Sequence, residues 1–327
     1  MSYAPWSVPA CKTQENDIKI MTFNLCRARE NARNTQCLSE LWPARKGQTQ
    51  KLIASEHPDI ICLQEFRDTV LTTMDDFFNF SPKYEHHIFA PNPDPIALRV
   101  AIAWDPRRVF PICVEKRWLC ENDGRMPSRG ADPDGKGKII GGIQFVRVQD
   151  GSYIEGVLEK PFWVFCTHFS VNEEAKNIQA AAAQRVVRGL AGEAPAVLCG
   201  DMNFFDRFGG RKQRASLVGD YFEDPFADPS RVSIAHDGHP DDEENMKMDT
   251  AQYKILGTFF GMDSDSVKGE IGVGTANSRL DHILVSKNIS YRSPTMVCRT
   301  MLPYPSQLFS RRNYPSDHFP LTLSIIL

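Results

Sequence analysis

Seven short apolar runs, rich in β-branched and aromatic residues, recur along the chain at 18–23, 60–63, 100–104, 162–167, 196–199, 283–285 and 319–326. Their length and composition predict strands. Two longer stretches carry helical patterns. Residues 43–56 predict a helix ended by His57-Pro58, because proline disfavours helical backbone at the residue before it. Residues 173–190 predict a second, opened by Ser170-x-x-Glu173 at capping-box spacing, stiffened by alanines at 180–183 and closed near Gly189 and Gly192. Many strands with few helices predict a layered α/β sandwich rather than strict βαβ alternation. Residues 121–142 and 236–249, rich in Gly, Pro and Asp or in acids, predict solvated loops. No repeat or linker-like shift in composition divides the chain. The expectation is an N-terminal tail at 1–16 and a single domain at 17–327.

Composition narrows the class. The 327 residues hold 38 Lys+Arg against 41 Asp+Glu, with 42% hydrophobic and 24% charged, the balance of a folded globular protein. A net charge of −3 speaks against a wholly basic surface but leaves room for a local basic cleft. Nine scattered cysteines with no C-x-x-C pair predict free thiols in a reducing compartment, with Cys62, Cys166 and Cys199 buried as small hydrophobes. The first residues lack the basic flank and apolar stretch of a signal peptide, and no run is long enough to span a membrane. The expected location is intracellular, most simply cytoplasmic. Nothing in the sequence calls for an obligate protein partner.

Chemistry enters where polar residues meet the strands. Asn24, Glu65, His168 and the pair Asp201/Asn203 follow apolar runs, whereas Asp281-His282 and Asp317-His318 precede them. Strand ends are where a rigid sheet displays reactive groups. Asp201 and Asn203 are two apart, so extended chain would project both to one face. Gly200 before them permits a close backbone approach. Each residue alone has an ordinary reading: a turn-forming Asn, a solvated carboxylate, a surface imidazole. Their joint order is what carries information.

That order resembles the endonuclease/exonuclease/phosphatase family of metal-dependent phosphoesterases. The matching motifs are Thr-Phe-Asn (22–24), Leu-Gln-Glu (63–65), Thr-His (167–168), Gly-Asp-Met-Asn (200–203), Arg-Leu-Asp-His-Ile-Leu-Val (279–285) and Pro-Ser-Asp-His-Phe-Pro (315–320). The resemblance implies a four-layered α/β sandwich, two face-to-face, mostly antiparallel sheets flanked by helices. It implies Glu65 as main metal ligand, helped by Asn24 and Asp317, with magnesium the expected ion and manganese its alternative. It also implies Asp201 as the base on the attacking water and Asn203 as a phosphate-oxygen donor. His318, oriented by Asp281, is the implied central histidine, and His168 a donor to phosphate or leaving group. His282 stands on the opposite parity from Asp281 and is expected to pack or to lie at the surface.

The substrate is less legible. Arg27, Arg29 and Arg33 follow Asn24. Arg207, Arg211, Lys212 and Arg214 follow Asn203, and Arg311 and Arg312 precede Asp317. If Arg27, Arg211 and Arg311 share one rim, they would hold a polyanion. Phe66, Phe169, Phe204 and Phe205 would either stack bases or belong to the core. The sequence departs from the inositol phosphatase and apurinic endonuclease versions of the motifs. The expectation is therefore a phosphodiesterase, with nucleic acid or a nucleotide ahead. The alternatives are an esterase acting on a lipid or inositol phosphate, and an inactive binding module.

Overall fold

The computed structural model describes residues 17–26, 42–66, 74–80, 82–91, 99–128, 137–148, 160–205, 209–236, 279–298, 316 and 318–327. The first apolar run becomes β1 (Asp17–Asn24) and the second β2 (Ile60–Phe66), with α1 (Trp42–Glu56) between them. Downstream lie α2 (Met74–Phe77), β3 (Glu85–Phe89), β4 (Arg99–Trp104), β5 (Val109–Trp118) and β6 (Ile139–Arg147). Then come β7 (Phe162–His168), α3 (Glu173–Ala191), β8 (Ala196–Asp201), α4 (Gly210–Val218), β9 (Phe222–Glu223), β10 (Ser233–His236), β11 (Asp281–Ser286), β12 (Ser290–Cys298) and β13 (Leu321–Ile326).

Two sheets result, ordered β10-β12-β13-β1-β2-β4-β3 and β5-β6-β7-β8-β11-β9. Most neighbours are antiparallel. The exceptions include β1 with β2 and β7 with β8, each joined through a segment that holds one long helix, α1 or α3. Such a crossover lays its helix on the outer face of its sheet. Ile20, Ile60, Ile102, Val164, Val197 and Leu323 fill the space between the sheets. Trp42, Leu52 and Ile53 of α1 pack on the first sheet's outer face, and Ala180, Ala183 and Val187 of α3 on the second's. This is the α/β/β/α sandwich that the motifs imply. No described helix is long and apolar enough to cross a membrane.

Several local expectations need correction. Asn172, not Ser170, caps α3, its side chain accepting from the Ala175 amide at 3.0 Å, a contact worth about 1 kcal/mol. Ser170 instead accepts the Asn172 amide. The loop expected at 121–142 ends early, because 139–142 open β6. A Cβ on Gly141 would stand 2.3 Å from the Phe89 ring, so the glycine that suggested a loop admits an aromatic side chain against the strand. Strands β5 and β12 escaped the sequence reading because their half-polar, proline-containing sequences lack a continuous apolar run. Of the expected loop at 236–249, all but His236 lies outside the described residues, as does the tail at 1–16. Cys62, Cys166 and Cys199 are free thiols in the inter-sheet core, as their apolar setting predicts.

Candidate active site

The topology explains why some motif residues follow strands and others precede them. Because β1/β2 and β7/β8 are parallel pairs, their C-terminal ends share an edge, which brings up Asn24, Glu65, His168 and Asp201. Strand β11 runs antiparallel to β8 with Asp281 opposite Asp201, and β13 antiparallel to β1 with Leu321 opposite Thr22. Residues at the start of those strands therefore reach the same edge, and they are Asp281 and His318. Strands β1 and β2 face β7 and β8 across the core. Four strand ends and two strand starts meet at one edge of the sandwich.

Asp201 is its centre. One carboxylate oxygen, Oδ2, accepts the Asn24 side-chain amide at 2.8 Å and faces Nε2 of His168 at 3.6 Å and of His318 at 3.9 Å. The other, Oδ1, accepts the Asn203 backbone N–H at 2.9 Å. His318 Nδ1 lies 2.7 Å from Asp281 Oδ2, a carboxylate–imidazole pair that fixes the ring and directs Nε2 toward Asp201. Gly200 makes the approach of β8 to β7 possible, since a Cβ there would lie 2.1 Å from the Thr167 carbonyl oxygen.

Asn203 does not continue the strand. Its φ of 52° is left-handed, so the period-2 projection expected for Asp201 and Asn203 is replaced by a tight turn closed on Asp201 Oδ1. The turn points Nδ2 of Asn203 at the Phe169 carbonyl, 3.0 Å away, a bond that uses one of its two amide hydrogens. Glu65 is half-buried, also at a positive φ (58°), one residue past the register partner of Asn24. With Cys26 (φ 54°) just after Asn24, three left-handed non-glycine residues stand at this edge, backbone strain concentrated beside the motif residues.

Burial dominates the electrostatics. It pushes the Asp201 carboxyl up to about 6; His318 and the two amides pull the other way, and Asp281 adds to the rise. Burial, joined by the Lys138 ammonium and by His318, holds His168 well below the ordinary imidazole value, so it is neutral at pH 7. His282 is likewise depressed, by burial and then by Arg279 and Arg214. It packs against Phe204 and bonds the Arg279 carbonyl at 3.0 Å, the packing alternative of the two expected from its parity.

Asp201, Asp281 and His318 each offer one ligand atom, all within 4.8 Å of one another. Buried carboxylates, one with its proton affinity raised, form an oxygen-rich donor set that suits a hard divalent cation. Asn24 Oδ1 accepts the Cys26 amide at 2.9 Å, which leaves that oxygen one further lone pair.

The other expected residues divide. Phe66, Phe169 and Phe204 are core, and Phe205 is half-buried. Arg211 and Lys212 are exposed on the first turn of α4 and Arg214 is half-exposed. Asp317, Arg27, Arg29, Arg33, Arg207, Arg311 and Arg312 lie outside the described residues. Two contributors were missed. Ser316 donates to the Asn24 carbonyl at 2.6 Å and accepts the His318 amide at 3.2 Å, tying the two motifs together. Buried Arg45 of α1 donates to the carbonyls of Leu25 and Cys26, each at 3.1 Å, and fixes the turn after Asn24. Ser316 stood inside a quoted motif; Arg45 had no mark beyond being an arginine on a helix.

Comparison with known proteins agrees with this fold. The profile described as the endonuclease/exonuclease/phosphatase family matches residues 21–318. Among solved structures, a Bacteroides thetaiotaomicron protein of that family superposes with a TM-score of 0.69 at 19% identity, covering 94% of each chain. A mannosyl-6-phosphatase from Bacteroides thetaiotaomicron gives 0.66 at 19% identity, over 95% of this chain and all 100% of the other. The human Nocturnin catalytic domain with bound sulfate gives 0.58 at 18% identity, over 95% and 93%. No curated relative matches the chain.

Proposed function

The chain belongs to the endonuclease/exonuclease/phosphatase family, a family of metal-dependent phosphoester hydrolases, and from that premise we propose that it is a magnesium-dependent phosphodiesterase. Asp201 is the base in this reading. With its proton affinity raised to about 6, it is mostly ionised at pH 7 yet basic enough to take a proton from water as the new P–O bond forms. Asp281 holds His318 in one orientation, so that Nε2 faces the developing charge on phosphorus. Neutral His168 and the second amide hydrogen of Asn203 are the donors to phosphate oxygens. As the ester bond breaks, the leaving oxygen takes its proton from His318, the histidine paired with a carboxylate, while neutral His168 donates a hydrogen bond.

A divalent cation held by Glu65, Asn24 and Asp317 would neutralise charge on the phosphate. Arg211, with Arg27 and Arg311, is assigned to the substrate's remaining phosphates, which favours nucleic acid or a nucleotide. The observation that carries the reading is the Asp201 cluster: one buried carboxylate between two imidazoles and two amides.

Likeness to a mannosyl-6-phosphatase favours a second reading, a phosphomonoesterase acting on a small phosphate. A panel of bis(p-nitrophenyl) phosphate, p-nitrophenyl phosphate, single-stranded DNA, RNA, sugar phosphates and phosphoinositides, with magnesium, manganese or chelator, separates them. Turnover of the diester and nucleic acid in magnesium is expected. Turnover of monoesters alone would select the second reading, and activity that survives chelation would overturn the metal assignment.

A further inference from the structure

Helix α3 carries a lysine on its buried face. Lys176 is fully buried, on a helix side that it shares with Ala175, Gln179, Ala180 and Ala183. An ammonium is expensive to desolvate, and an apolar residue of similar volume would stabilise such a position as well or better. Its partners indicate what the charge is for. Nζ donates to the Asn203 carbonyl at 2.7 Å and to Glu173 Oε1 at 2.6 Å, and stands 5.4 Å from the Phe205 ring centroid. Glu173 Oε2 in turn accepts Gln213 of α4 at 2.7 Å. The lysine thus joins α3 and α4 to the turn that leaves Asp201.

The carbonyl it holds belongs to a residue in left-handed backbone, a conformation that persists only where its surroundings over-determine it. Its backbone is engaged at both ends, the N–H on Asp201 and the C=O on Lys176, and its side-chain amide donates to Phe169. One helical turn on, buried Gln179 accepts the Ser170 amide at 2.8 Å and so fixes the loop after His168. The same face of α3 therefore anchors both loops that carry the Asp201 and His168 motifs.

We propose that Lys176 is a positioning residue, a buried cationic clamp on the Asn203 carbonyl that holds the Asp201–Asn203 turn in register with the two histidines. Its effect on rate rests on the catalytic reading of Asp201 and Asn203; the clamp itself does not. Hydrogen exchange and steady-state kinetics on Lys176→Met and Lys176→Arg, run well below each variant's Tm, test the two parts separately. Lys176→Met is expected to exchange faster across Asp201–Phe205 while β8 itself stays protected. Its kcat on bis(p-nitrophenyl) phosphate should fall at least tenfold with KM within about threefold, and Lys176→Arg should restore most of both. Unchanged exchange in that turn would overturn the clamp whatever the substrate proves to be. Faster exchange with unchanged kcat would overturn its role in positioning. If the parent hydrolyses no phosphoester, the functional reading falls while exchange still decides the clamp. Should Lys176→Met fail to fold, Lys176→Gln, neutral and one bond too short, is expected to show the same changes at smaller size.

Discussion

The two ends of the sandwich bury the same side chain and treat it in opposite ways. At the end where β1 begins, Asp17 is paired with Arg292, Asp59 accepts Arg108 and the Lys19 amide, and Asp105 is chelated by Arg107. Burial would raise Asp105, but the Arg107 guanidinium outweighs it and holds the carboxyl below its ordinary value, whereas the more deeply buried Asp59 is raised by burial in spite of the Lys19 amide and Arg108. At the other end the described partners of Asp201 are amides and imidazoles, with no guanidinium or ammonium among these described residues, and burial carries it up to about 6. Where a fixed cation outweighs burial, as Arg107 does at Asp105, the buried carboxylate is a structural tie. A carboxylate left with neutral or titrating partners keeps a proton affinity near neutral pH, where it can do acid–base work.

The sharpest way to break this contrast is one substitution at each end. Asp201→Asn is expected to lower kcat by about 10²- to 10⁴-fold with Tm at or above the parent's, measured on the best substrate of the panel. Asp17→Asn should leave kcat unchanged and destabilise by about 2 kcal/mol, less than a fully buried pair because the Arg292 side chain is 36% exposed. A shared loss of Tm without loss of rate would make both ends structural.

Cation binding gives a smaller effect of the same sense. Magnesium should raise the parent's Tm, by the equivalent of about 2.7 kcal/mol at a hundredfold excess over Kd. Glu65→Gln should abolish that rise, whereas Asp17→Asn should keep it. Equal responses in both variants would place the cation elsewhere.

The smallest effect is in pH. A carboxyl raised in the folded state binds more protons folded than unfolded, so Asp201 lowers stability as pH climbs from its unfolded value near 4 through about 6. The depressed His168 and His282 act oppositely: their contribution is present above the unfolded imidazole value and is lost as pH falls below it. The metal-free parent minus Asp201→Asn isolates the first effect. That difference in Tm should move against the parent between pH 4 and 6 and level off above. A difference independent of pH would mean that Asp201 is ordinarily ionised.

Much of this was readable before any coordinates. Strands β1, β2, β4, β7 and β8 lie at or near the middle of their sheets, and their continuous apolar runs announce them. Strand β5 is an edge with one wet face, so its alternation of Pro, Glu, Lys and Arg with apolar residues hides it. Among site residues, Asp201, His318 and Asp281 are short-range motif features. Ser316, Arg45 and Lys176 act by donating to backbone carbonyls far away in sequence, and a carbonyl leaves no mark in an amino-acid code.

What the sequence determined by itself was the set of strands that bury on both faces and the order of reactive residues at their ends. Both are local, written in apolar runs and the polar residues beside them. Only tertiary structure decided that ends of parallel strands and starts of antiparallel ones meet at one edge. It likewise decided that Asn203 turns left-handed instead of extending, and that a helix lysine is buried under it. Those outcomes depend on strand pairing and on desolvation by distant segments, which no stretch of sequence carries alone.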